Sequence, residues 1–154
     1  MGIDLDLWEL PKTPQKKILG VGYSSVPLTN EDKNTVSYKM WMEMMHKCYS
    51  QSDYRKNRNK KNYECCNSWI DYQKFLKWFN NNYKELQGVS MLLTNCIISQ
   101  SNVTFNPNNC AIVPKEIWNY LEHAYSDADK AKELAEKYKD CITEDIYELL
   151  TEDY

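Results

Sequence analysis

Two short apolar runs, Met91 to Ile98 and Cys110 to Val113, flank a polar, asparagine-rich stretch from Ser99 to Asn109, and the second run passes straight into Pro114. Proline suits a first helical position, because the N–H it lacks would have no intrahelical partner there anyway. Ile117, Trp118, Leu121 and Ala124 then recur at helical spacing. The order predicted is strand, loop, strand, helix, although period alone does not separate the first run from a buried helix. This unit constrains the fold most, since two short strands are stable only when other elements cover one of their faces.

The covering elements are legible upstream. From Ser37, read as an N-cap, Tyr38, Trp41, Met42, Met45, Cys48 and Tyr49 follow the i, i+3, i+4, i+7 pattern of an amphipathic helix. A second helix carries Trp69, Tyr72, Phe75, Leu76, Phe79 and Tyr83 on one face, with Lys74, Lys77 and Lys84 off it. Between them Ser50 to Asn62 is polar and basic and reads as an exposed loop. Residues 1–36 form an irregular arm, punctuated by Pro and Gly, with one short strand near Ile18 to Tyr23.

Downstream, Ser126 and Asp129 have the spacing of a capping box that opens a helix through about Lys139, and Thr143 caps a last helix holding Ile146, Leu149 and Leu150. The expected class is α+β. A core at 37–125, with its strand-strand-helix unit at about 90–125, stands between the arm and an acidic helical tail at 126–154.

A length of 154 residues with 42% hydrophobic side chains suits one compact domain. No stretch approaches the roughly 20 apolar residues that cross a bilayer, so no membrane partner is expected. The opening residues mix Asp4, Asp6 and Glu9 into any apolar run, which is unlike a secretory leader. The six cysteines are therefore expected to be reduced thiols in a cytoplasmic protein.

The net charge of -3 hides an uneven distribution: residues 46–90 carry nine basic and four acidic side chains, and 122–154 carry four and eleven. Arg55, Lys56, Arg58, Lys60 and Lys61, with Tyr54 and Tyr63 beside them, could track a phosphate backbone while the rings stack on bases. A solvated loop needs no such ligand. The acidic tail is either a solvated helix pair or a surface that mimics phosphates. His46 and His123 read as helical residues without a catalytic role. Zinc through Cys48, Cys66 and Cys110 is weighed against buried thiols, the commoner role of such residues.

Several runs resemble the phage HNH (His-Me finger) homing endonucleases: Tyr38-Lys-Met-Trp41 to Cys48-Tyr49, Cys65-Cys-Asn-Ser-Trp69 to Tyr83, and above all Phe105-Asn-Pro-Asn-Asn-Cys110-Ala-Ile-Val-Pro114. Gly20-Val-Gly-Tyr23 and the tail from Glu133 to Tyr147 resemble the two ends of those proteins. The resemblance implies a ββα finger that holds one divalent metal against the scissile phosphate. The family's acidic Asp-x-Asp position, however, falls on Thr94-Asn95-Cys96, and its Gly-Asn pair on Ser101-Asn102. From Gly88 to Lys115 there is neither Asp, Glu nor His. A hard cation such as Mg²⁺ wants anionic oxygen ligands, so the finger is read as disarmed. The β-rich DNA-binding module that the family inserts before its tail has no room here either.

The function expected is therefore that of a degenerate HNH member, a non-catalytic phage or mobile-element protein reused for binding. Its target would be a host defence protein or that protein's DNA or RNA, and its effect inhibition of a defence nuclease, as an anti-CRISPR does. Neither a metal nor a catalytic residue is expected. The tail could also pair two copies. One alternative is an HNH-type endonuclease using Mg²⁺, Asn102, Asn109 and an acid or His from elsewhere in the fold. Another is a sponge for a nucleotide signal with a Tyr- and Trp-lined pocket that the sequence does not locate.

Overall fold

The computed structural model describes residues 18–49, 63–99, 101–123 and 127–152. Among them the chain is α+β, with five α-helices and two sheets of two strands each. Helix α1 (Val36–Tyr49) starts one residue before the expected cap. Thr35 takes that role, its Oγ1 accepting from the Tyr38 N–H at 3.2 Å. Ser37 is instead buried, its hydroxyl 2.8 Å from that of Tyr72. Two hydroxyl residues compete for the cap, and the one whose hydroxyl finds a partner across the core loses it.

The second predicted helix divides in two. Trp69 lies in a 3-10 turn (Asn67–Ile70), and α2 (Tyr72–Asn82) begins only after Asp71, with Tyr83 just beyond its end. The buried Asp71 carboxylate accepts from Gln73 N, inside the helix, and from Ser25 N, at 2.9 Å, in the arm. One acid thus caps α2 and holds the arm against it. Trp41 donates its indole N–H to the Trp69 carbonyl at 2.7 Å, and the Trp69 ring meets Phe75 edge-on at 5.0 Å.

In the arm the expected strand reduces to two isolated bridges, Ile18 to Gly22 and Tyr23 to Asp71. Gly22 is required by close approach, because a Cβ there would lie 2.8 Å from the Met45 methyl and 3.1 Å from the Trp41 ring.

Strands β2 (Met91–Thr94) and β4 (Ala111–Pro114) pair antiparallel, Met91 facing Pro114 and Thr94 facing Ala111. Helix α3 (Lys115–His123) follows at once, so Pro114 closes the strand where it was expected to open the helix. The first strand stops at Thr94, well short of Ile98, because Asn95 turns its side chain into the connection between the strands. Within that connection β3 (Thr104–Phe105) pairs in parallel with β1 (Glu64–Cys65). The connection is thereby pinned to the residues that follow the basic stretch.

Helix α4 (Ala128–Lys137) is capped by Asp127, which accepts from Lys130 N at 3.1 Å; Ser126, the expected cap, lies outside the described residues. Thr143 caps α5 (Glu144–Thr151) as anticipated, accepting from Ile146 N. The tail does not stand apart from the core. Glu116 on α3 is bound by Lys137 at 2.6 Å and by the Tyr138 hydroxyl, which together hold its carboxyl below the usual range. Leu134, Ile142, Ile146 and Leu150 belong to the same buried cluster as Trp41 and Phe75. Among the described residues no helix is long and apolar enough to cross a membrane.

Candidate functional site

The site is built on the β2, β4 and α3 unit. The connection between the strands buries Cys96, Phe105 and Cys110, and the backbone between them is fixed by amides. Asn102 donates through Nδ2 to the carbonyls of Asn95, at 2.9 Å, and Thr104, at 3.3 Å, while its Oδ1 accepts from Thr104 N. Asn109 accepts through Oδ1 from Asn106 N, and Asn106 accepts in return from the N–H groups of Asn108 and Asn109. Asn102 and Asn109, the residues a working endonuclease would need, thus spend their amides on backbone. A backbone group buried without a partner is costly, and these side chains prevent that.

Thr94 stands where the resemblance puts the first acid. Its Oγ1 accepts from Cys96 N at 3.0 Å and donates to the Glu122 carboxylate at 2.7 Å. Glu122 is a residue that sequence reasoning passed over, because only tertiary packing decides which face of α3 meets β2. Its one signal is the spacing from Trp118, which puts both on one side of the helix. A single carboxylate beside a neutral hydroxyl offers Mg²⁺ far fewer anionic oxygens than it prefers.

Among the described residues no three His, Cys, Asp or Glu side chains converge as a metal group, so Cys48, Cys66 and Cys110 are not brought together as zinc ligands. Burial pushes the Cys48 thiol up to about 12 and raises Cys65 and Cys110 as well, which leaves all three as neutral packing groups near pH 7. His123 closes α3 with its ring edge-on to Trp118, and His46 lies half-buried on α1.

Beside this unit, between α1, β2 and α3, lies a groove of about 280 Å³. Met40, Met44, Leu93 and Phe105 form its buried floor, and Leu92 and Trp118 its half-exposed walls. Glu43 and Lys47 line it as exposed residues, one α-helical turn apart. The Lys47 ammonium sits 5.6 Å from the centroid of the Trp118 ring, within cation–π range. The indole N–H of Trp118 donates to the Leu93 carbonyl at 3.1 Å, which locks that ring against β2.

Tyr63 extends this surface. Its ring lies 5.6 Å from Phe105, and burial followed by the charge of Glu122 pushes its hydroxyl pKa up. Of the predicted binding residues it alone is described; Tyr54, Arg55, Lys56, Arg58, Lys60 and Lys61 lie outside the described residues. The two described residues that flank the basic stretch, Tyr49 and Tyr63, both lie by β1. Tyr49 ends α1 with a backbone hydrogen bond from Cys65, and Tyr63 leads into β1. Comparison with protein-family models, with curated proteins and with solved structures finds no match.

Proposed function

We propose that this chain is a non-catalytic binding protein of phage or mobile-element origin, descended from an HNH endonuclease. It grips nucleic acid through its basic stretch and thereby antagonises a nuclease of the host's defence in the bacterial cytoplasm, as an anti-CRISPR does. One observation carries the reading: the groups that would have to serve a metal are occupied with structure. Thr94 and Cys96 stand where the resemblance puts the two acids, and Asn102 and Asn109 staple the connection between the strands. The cations at 55–61 supply the phosphate affinity that remains.

Plasmid nicking with Mg²⁺ and Mn²⁺, run beside a gel shift on the same DNA, tests this. Salt-dependent retention without nicking is expected, weakened when Arg55, Lys56, Arg58, Lys60 and Lys61 are neutralised. Restored plating of a phage otherwise restricted by a CRISPR nuclease would extend the reading to antagonism. The second reading, an endonuclease with substituted ligands, draws support from the approach of Glu122 to Thr94. Nicking abolished by EDTA and by Glu122→Gln would establish it in place of the first.

A further inference from the structure

We infer that the groove between α1, β2 and α3 receives a single nucleobase, with the attached phosphate held by Lys47. The inference rests on the proposal that the chain binds nucleic acid, and it names the part of the ligand that enters the fold. Size comes first. A volume of about 280 Å³ falls just under the roughly 300–1,000 Å³ of drug-sized sites, so it admits one ring system and no second base stacked upon it.

Chemistry narrows the occupant further. Trp118 offers a half-exposed aromatic ring above a floor that Phe105 and Met44 close from beneath, and such a ring pairs with a flat heteroaromatic one. A simple aliphatic guest would leave Glu43 and Lys47 with nothing to bind. A nucleotide uses both, since its base edge carries N–H donors for the Glu43 carboxylate and its phosphate is an anion for the ammonium of Lys47.

Position agrees with that assignment. Phe105 in the floor meets the ring of Tyr63, the first described residue after the basic stretch. The ring would come from a single strand or from a free nucleotide, and the chemistry is shared.

The test uses the full chain with two probes, guanosine 5′-monophosphate and a single-stranded oligonucleotide, read by calorimetry and by quenching of tryptophan emission. Ribose 5-phosphate serves as the control without a base. Leu92→Trp fills the groove from a half-exposed position, and Lys47→Ala removes the cation; thermal unfolding of each variant verifies that it folds. At least tenfold weaker binding of one probe by both folded variants is expected, with ribose 5-phosphate bound weakly or not at all.

Loss confined to the oligonucleotide would support the groove with a strand as its source, and loss of mononucleotide binding would support it with a free nucleotide. Unchanged affinity for both probes in folded Leu92→Trp would overturn the inference while the nucleic-acid reading stood. No binding of either probe, or of duplex DNA, by the native chain would overturn both.

Discussion

The half of the molecule built from α1 and α2 and the connection between β2 and β4 share one core but differ in what holds their backbone. Around Trp41, Trp69 and Phe75 rings pack at centroid separations near 5 Å, and buried aromatic surface does the stabilising. Between Thr94 and Ala111 the buried Cys96, Phe105 and Cys110 anchor the segment in the core, and Asn95, Asn102, Asn106 and Asn109 hold the backbone between them through their amides. Apolar packing is non-directional and tolerates partial repacking. Amide staples are directional, so they fix one conformation while adding little net stability. The groove lies where the two modes meet, with a floor of packed side chains and Trp118 oriented by one hydrogen bond.

The contrast can be broken most directly at Trp41. Trp41→Ala should lower stability by about 3–5 kcal/mol in urea unfolding, because the ring is fully buried. A loss under about 1 kcal/mol would mean that the aromatic half is not the main source of stability. Asn102→Ala should cost about 1–3 kcal/mol, through backbone groups left without partners. Its signature is local: hydrogen exchange at the Thr104 amide should accelerate while amides of α1 keep their protection. Acceleration in both places would show that the staples also support the aromatic half.

A smaller effect is expected at alkaline pH. Cys48, Cys65 and Cys110 have folded pKa values raised above their unfolded values by burial, so the neutral thiol is the form that folding favours. Their contribution is complete below the unfolded value of 9.0 and is lost as pH climbs towards about 12 for Cys48. The urea midpoint should accordingly fall between about pH 9 and pH 10.5 but not between neutrality and pH 9. A flat profile would show that these thiols are better hydrated than their burial implies. Smallest of all, Glu122→Gln should change stability by less than about 0.5 kcal/mol, since an amide oxygen still accepts from Thr94. A large loss on calorimetry would mark the carboxylate as structural and remove it from any role with metal.

Much of the fold was legible because its signals are local. The stripe from Tyr38 to Tyr49, the Thr143 cap and the pairing of two short apolar runs ahead of a helix all depend on spacing within one segment. The misplaced boundaries have nonlocal causes. Ser37 lost the cap to Thr35 because its hydroxyl reaches Tyr72, and Trp69 left the helix because Asp71 starts one after it while also binding Ser25. The first strand was right in kind but expected too long, since the buried Asn95 ends it at Thr94.

For the site, the sequence alone determined which chemistry is scarce: no acid or histidine between Gly88 and Lys115, and five cations crowded into 55–61. Only the tertiary structure decided what those segments meet. It set Glu122 against Thr94, turned the asparagines onto backbone, and placed Trp118 beside Lys47 across a groove that neither α1 nor α3 possesses alone. The physical reason is that composition and period are written within one segment, whereas a cavity or a converging pair depends on which faces of distant segments are buried against each other.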